Sequence, residues 1–215
     1  MSRFKDHYIS WRQNRINIIF KYLSKEFFNN KTILELGCGY GDIGKIFFDI
    51  GADVTCLDAR QEHLDEIAKT YKLKTILMDL DNESFDFNNY DIIINFGILY
   101  HLKSKNVKYF LTKCLQKCNL MILESETLDS FENECIDVQE NGYDQAFNNV
   151  GSHGSQSYIE NIFREQNVNF KMIMDKELDS LSHIYSWNSI NDKKYGPFKR
   201  RFWFVWNNNF NEFKL

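Results

Sequence analysis

Apolar residues along this chain follow two alternating rhythms. Thr32–Leu36, Ala52–Leu57, Thr75–Met78, Asp91–Phe96 and Leu120–Glu124 are short, nearly continuous apolar runs, the pattern of strands covered on both faces. Between them apolar residues recur at helical spacing: Ile16, Ile19, Phe20, Leu23 and Phe27; Ile43, Ile46, Phe47 and Ile50; Leu64, Ile67, Ala68 and Tyr71; Val107, Phe110, Leu111 and Leu115; Ile162 and Phe163. Start signals accompany three of these stripes. Ser10-Trp11-Arg12-Gln13 and Ser157-Tyr158-Ile159-Glu160 read as capping boxes, and Ser104 as a cap. Phe170–Met174 and Phe202–Trp206 are the last two predicted strands. Strands alternating with helices specify a mostly parallel sheet with helices on both faces. No internal repeat or domain boundary appears, so residues 1–215 read as one domain, opened by a helix over 8–28.

Two stretches break the rhythm. Residues 126–155 are long, polar and weakly periodic, with Tyr143, Asp144, Asn148, Asn149, Gly151, His153 and Gly154 near their end. A connection of that length in a compact domain is functional or disordered. It leaves the fifth strand at its carboxyl end, the edge where open α/β sheets bind ligands, so it reads as an insertion on the acceptor side, a lid that the cofactor pocket does not need. Residues 175–199, with His183, Tyr185, Trp187 and Tyr195, enter from the other direction and read less readily as part of a site.

The first strand ends in Glu35 and runs into Gly37-Cys38-Gly39-Tyr40-Gly41, after which Asp42 begins a helix. Glycines here permit positive φ and close approach of a ligand to the backbone. The order strand, glycine turn, helix marks a nucleotide-cofactor loop. Gly39-Tyr40-Gly41-Asp42-Ile43-Gly44 also satisfies the dinucleotide pattern G-x-G-x-x-G, but a carboxylate at Glu35 would repel a pyrophosphate at the helix N-terminus and would suit a cofactor carrying an ammonium and a sulfonium. Glu35 through Gly41 resembles motif I, E-x-G-x-G-x-G, of the class I S-adenosylmethionine (SAM) methyltransferases.

The resemblance extends along residues 31–125 and only in topology beyond them. Asp58 closes the second strand 21 residues beyond Gly37, placed to hydrogen-bond both ribose hydroxyls. The resemblance implies that Asp79-Leu80, after the third strand, meets the adenine amine, and that Asp91–Leu102, containing Asn95, is motif IV. It implies a seven-stranded sheet whose last strand is antiparallel, SAM as cofactor, and Glu35, Gly37, Gly39, Gly41, Asp58, Asp79, Leu80 and Asn95 as the residues that hold it.

Composition narrows the rest. A 215-residue chain with 43% hydrophobic residues supports a sizeable core. A net charge of −4 gives no basic surface that would itself argue for nucleic acid, although Lys193-Lys194 with Lys199-Arg200-Arg201 forms a local basic run. Five cysteines, an odd number, three of them in or beside apolar elements, suit reduced thiols in the cytoplasm. Cys114 and Cys118 lack the partner pair that a zinc site needs, and no metal is expected. No apolar run approaches membrane-spanning length, and Arg3, Lys5 and Asp6 precede any apolar stretch.

A sulfonium methyl is already activated, so alignment drives much of its transfer, and a general base adds to this when the acceptor is poorly ionised. His101, just beyond the fourth strand, is the first candidate for that base, although a packing or hydrogen-bonding residue at the top of the helix is the favoured reading of this position. His153 and Asp144 are further candidates. Tyr8, Trp11, Arg12 and Arg15 read either as a cover over the cofactor, with an arginine on its carboxylate, or as a solvated helix face with one core tryptophan. Asn95-Phe96-Gly97-Ile98 lacks the prolines of the tetrad used on exocyclic amines of nucleic-acid bases, and Pro197 precedes Phe198 rather than a nucleophilic cysteine. Phe96–Leu102 resembles the matching segment of enzymes that carboxymethylate a tRNA wobble uridine, a place where many small-molecule methyltransferases also carry His. The expectation is therefore a small-molecule or glycan methyltransferase, with oxygen as the acceptor atom, ahead of an RNA-modifying enzyme or a non-catalytic SAM-binding partner.

Overall fold

A computed structural model describes residues 6–142, 145–180, 183–188 and 199–210, the backbone alone for residues 6–8. Its strands in chain order are β1 (Thr32–Leu36), β2 (Asp53–Asp58), β3 (Lys74–Leu77), β4 (Tyr90–Phe96), β5 (Cys118–Glu126), β6 (Cys135–Gln139), β7 (Val150–Gly154), β8 (Asn169–Ile173) and β9 (Arg200–Trp206). Seven of them form one sheet in the order β3-β2-β1-β4-β5-β9-β8. β1 to β5 pair in parallel, and β9 lies antiparallel to both β5 and β8. This is the class I methyltransferase topology that the resemblance implies.

Alternation along the strands gives the sheet two apolar faces. Ile33, Val54, Ile92, Ile94, Ile122, Phe202 and Phe204 pack with Ile16, Ile19, Phe47 and Ile67 of α1 (Asp6–Tyr22), α2 (Asp42–Asp49) and α3 (Gln61–Thr70). Leu34, Leu36, Ile93, Met121, Leu123 and Trp203 pack with Val107, Phe110 and Leu111 of α4 (Ser104–Gln116) and Ile159 and Phe163 of α5 (Gln156–Glu165). Fully burying one such side chain contributes about 1.5–3 kcal/mol, so both helical layers are strongly held to the sheet.

Several local expectations are corrected by tertiary contacts. α1 begins at Asp6, so Ser10 is inside the helix rather than at its cap. The helix ends at Tyr22, short of residue 28, and Ser24 is extended ahead of a 3-10 turn over Lys25–Phe28. That turn brings the Phe28 ring within 4.8 Å of Phe47 and 5.9 Å of Phe20. α5 is capped by Ser155, whose hydroxyl accepts from Tyr158 N–H at 3.1 Å, while Ser157 donates to the Phe131 carbonyl. α4 is capped from outside its own sequence, because the Ser104 N–H donates to Asp137 at 2.6 Å. Ala68 faces solvent, since the buried stripe of α3 is confined to His63, Leu64 and Ile67.

Residues 126–155 contain a hairpin, β6 paired antiparallel to β7, that packs beside α4 and the turn at Leu99–His101. Alternation there is faint because β6 is largely exposed and β7 is built of Gly, Ser and His. No helix among the described residues is long and apolar enough to cross a membrane.

Candidate active site

The glycine turn joins β1 to α2 through a left-handed backbone, with φ of 56° at Gly37, 53° at Gly39 and 72° at Gly41. Asp58, at the carboxyl end of β2, holds this turn: its Oδ2 accepts from the Gly39 N–H at 2.9 Å, and its Oδ1 accepts from the Arg60 N–H at 2.9 Å. His63 stands behind, with Nδ1 3.3 Å from Asp58 Oδ1. A methyl built on Gly39 would meet nothing within 4 Å, so a ligand can reach the backbone there.

Glu35 is 4% exposed, and its carboxylate is turned into the seam between β1 and α2. There it accepts from the Gly44 N–H at 2.8 Å and lies 3.7 Å from the Cys56 thiol. Burial outweighs the hydrogen bond from Gly44 and pushes the carboxyl up to about 8. A methyl on Gly44 would stand 2.6 Å from Glu35 Oε2 and 3.0 Å from Val54, so the glycine three residues beyond the motif is set by close packing.

The far wall of the turn comes from the ends of β3 and β4. Asp79 accepts from the Asp81 N–H at 2.9 Å, and Leu80 is buried. Asp81 accepts from the Lys103 N–H and from the Asn106 side chain at 2.7 Å, fastening this loop to α4. Asn95 is fully buried, and among the described residues neither of its amide atoms has a hydrogen-bond partner. An unpaired buried amide is costly, and this one lies at the carboxyl end of β4, where a ligand can satisfy it. The open backbone at Gly39, the carboxylate of Asp58 and the orphaned Asn95 amide together fit a polar nucleoside cofactor.

Beside this wall, the hairpin closes on the turn after β4. His101 Nδ1 lies 2.5 Å from Glu140 Oε2, which also accepts from the Ala146 N–H at 2.8 Å. Burial opposes the Glu140 charge, but the hydrogen bond and the charge of His101 outweigh it and hold the carboxyl below its ordinary value. His153, on β7, has its Nε2 3.9 Å from Glu126, and burial lowers its pKa. The Tyr100 ring separates the two histidines, with centroids 4.2 Å from His101 and 6.4 Å from His153. The loop beyond Glu140 also reaches the cofactor side. Arg60 donates to the Gln145 carbonyl at 2.8 Å and faces the Phe147 ring, while Asn148 lies within 3.4 Å of Asp79 and 3.3 Å of Asp81. The same hairpin therefore meets both the turn that carries His101 and the loop that carries Asp79 and Asp81.

Glu124, at the end of β5, is fully buried between Arg15 at 3.2 Å and Arg200 at 2.9 Å. Burial works against its ionised form, and the two guanidiniums overcome it and hold its pKa below the usual value. Tyr185 donates to the same carboxylate at 3.0 Å, Trp11 donates to Tyr185 at 2.6 Å and stacks on His183 at 4.0 Å, and Arg200 donates to Tyr100 at 3.2 Å. Of the expected cofactor cover, Arg15 is thus engaged with Glu124 and Arg12 with Asp42 at 2.9 Å. His183 and Tyr185 bring the segment after β8 into the site. The expected basic patch dissolves where it is described: Lys199, Arg200 and Arg201 are 3–4% exposed as β9 begins, and Lys199 pairs with Asp129. Asp144, Tyr143, Lys193, Lys194, Tyr195 and the Tyr8 side chain lie outside the described residues.

Residues 33–119, from β1 to the start of β5, match the family model described as a methyltransferase domain, and they contain the glycine turn, Asp58, Asn95 and His101. These residues are thus a methyltransferase domain, on the class I SAM-dependent methyltransferase fold. This methyltransferase is 24% identical over 177 residues, 76% of its length and 71% of the relative's, to a ubiquinone biosynthesis O-methyltransferase of Pelagibacter ubique. Its fold is similar to that of magnesium protoporphyrin IX methyltransferase from Synechocystis PCC 6803 with bound SAM, with a TM-score of 0.62 and 12% identity, covering 96% of this chain and 85% of that one. It is also similar to the N-terminal domain of EvdMO1 in the presence of SAH and D-fucose, with a TM-score of 0.64 and 12% identity over 96% of this chain and 84% of that one.

Glu140, Tyr100 and Glu124, which lie around the candidate site, were not singled out by the sequence reading. Glu124 left a signal, since a carboxylate ends the apolar run Leu120–Leu123 just as Glu35 ends β1. Glu140 left none. It meets His101 across 39 residues of chain, and only the hairpin register brings the two together.

Proposed function

We propose that this methyltransferase transfers the methyl group of SAM to a hydroxyl of a small molecule or glycan, with His101 as the base and His153 on the same wall. The observation that carries this reading is the His101–Glu140 pair at the carboxyl edge of β4, on the same hairpin that reaches the cofactor wall. The backbone of Gly37, Gly39 and Gly41 would cradle the cofactor, Asp58 would take its ribose hydroxyls, and Asp79, Leu80 and Asn95 would line its adenine side, with Glu35 bracing the turn from beneath. When bound, SAM supplies a methyl activated by the sulfonium. The chain's own contribution is to align the acceptor oxygen, exclude water with the hairpin and accept the hydroxyl proton. The O-methyltransferase relative and the sugar named with EvdMO1 support a hydroxyl acceptor. Burial of Lys199, Arg200 and Arg201 weighs against RNA. Free thiols at Cys38, Cys56, Cys114, Cys118 and Cys135 suit a cytoplasmic enzyme.

The test is to incubate the protein with methyl-labelled SAM and cell extract, then separate RNA from small molecules. Label in the small-molecule fraction is expected; label in RNA, or none at all, refutes the reading. Calorimetry should show SAM and SAH binding without NAD binding. Asp58→Ala should weaken SAM by about 1.5–3 kcal/mol, the scale of hydrogen bonds to a charged group, and unchanged affinity would remove Asp58 from the site.

A further inference from the structure

We propose that Glu140 is the positioning residue for His101: it fixes the imidazole with the proton on Nδ1 and leaves Nε2 as the atom that takes the proton of the acceptor hydroxyl. This rests on the reading of His101 as the base. The geometry begins with the 2.5 Å contact between His101 Nδ1 and Glu140 Oε2. An ionised carboxylate only accepts hydrogen bonds, so the contact requires the proton on Nδ1. Among the described residues Nε2 makes no hydrogen bond, and the side chain keeps 17% exposure.

Glu140 is itself held from two directions. The Ala146 N–H donates to the same Oε2, and the Glu140 N–H donates to the Asn149 carbonyl at 3.0 Å. The hairpin can approach this closely because of Gly151. A methyl there would lie 2.2 Å from the Tyr100 carbonyl and 2.9 Å from the Glu140 carboxyl carbon. Any larger residue would push the carboxylate away from the turn that carries His101.

In the transfer step, the acceptor O–H proton passes to His101 Nε2 and an oxygen electron pair forms the new C–O bond. The pair from the breaking C–S bond stays on sulfur. Positive charge therefore moves from the sulfonium to an imidazolium that faces Glu140, the side chain placed to stabilise it. The other titratable and charged groups around His101 are Tyr100 on its own turn, His153 on β7, Glu126 on β5 and Arg200 on β9, which donates to Tyr100 and to Glu126.

The experiment compares wild type, Glu140→Gln, Glu140→Asp and His101→Ala as full-length protein. Imidazole nitrogen NMR, with the His101 signal assigned from the His101→Ala spectrum, reports the tautomer without needing the acceptor. Wild type should show the proton on Nδ1. Glu140→Gln should reduce the Nδ1-protonated population, and Glu140→Asp should restore part of the difference. With the small-molecule fraction of cell extract as acceptor and labelled SAM, Glu140→Gln should reduce turnover about 10- to 100-fold. SAM affinity should stay within about twofold, well under the tenfold that 1.4 kcal/mol represents, and Glu140→Gln should cause no further loss in a His101→Ala background. A proton on Nε2 in wild type, or a tautomer population unmoved by Glu140→Gln, overturns the positioning role even where His101→Ala is inactive. Full turnover by His101→Ala overturns the base reading, and this inference with it.

Discussion

Gly44→Ala tests whether the glycine turn is held from beneath by Glu35. Gly44 lies in the first turn of α2, and its N–H donates to Glu35 Oε2 at 2.8 Å. The added methyl would stand 2.6 Å from that oxygen, 3.0 Å from Val54 Cγ1 and 3.1 Å from Cys56 Sγ. All three neighbours are buried on β1 and β2, so they yield only by moving the helix. Overpacking of this kind costs about 1–3 kcal/mol. Loss of a buried acceptor for the Gly44 N–H adds about 1–3 kcal/mol, and the better helix propensity of alanine returns about 1 kcal/mol. The net destabilisation is about 1–5 kcal/mol, which for a chain of this size lowers Tm by roughly 2–20 °C. The control is Gly39→Ala, where the methyl meets no neighbour within 4 Å. Its only folding cost is the positive φ, about 1–2 kcal/mol, yet the methyl occupies the face where SAM would approach. Thermal melts with and without SAM should show Gly44→Ala as a folding defect and Gly39→Ala as chiefly a loss of SAM-induced stabilisation. A Gly44→Ala protein melting at or above the wild-type temperature would refute the packing argument.

Two further predictions concern Glu35 and the hairpin. Burial pushes the Glu35 carboxyl up to about 8, so its contribution is most favourable below the unfolded carboxylate pKa, near 4.3, and is lost as pH rises through the folded value. Glu35→Gln has no such dependence, so its Tm relative to wild type should rise steadily between pH 5 and pH 8, and a difference that stays flat across melts in that window would sink the assignment. Because Arg60 meets Gln145 and Phe147, and Asn148 meets Asp79 and Asp81, Phe147→Ala combined with Asn148→Ala should speed SAM dissociation several-fold in stopped-flow measurements. Unchanged dissociation would confine the hairpin to the acceptor side.

The sequence by itself determined the sheet and the cofactor turn of this protein. Apolar runs such as Ile92–Ile94 and Leu120–Leu123 are read locally, because a strand buried on both faces is apolar on both. The turn is equally local, since Gly37, Gly39 and Gly41 lie within five residues of one another and their backbone conformation restricts what can replace them. Asp58 was legible for a related reason: β1 and β2 pair in parallel, so a fixed interval along the chain becomes a fixed place at the sheet edge. Tertiary structure decided the direction in which carboxylates point and the partners they meet. Glu35 reads as a charge presented to a ligand, but the Gly44 N–H and the Cys56 side chain draw it into the core. Lys199-Arg200-Arg201 reads as a surface patch, but pairing of β9 with β5 sets Arg200 against Glu124 across 76 residues of chain. Glu140 carries no mark in the sequence, since its meaning comes from the register of β6 on β7 and from Gly151, which lets that hairpin close on His101.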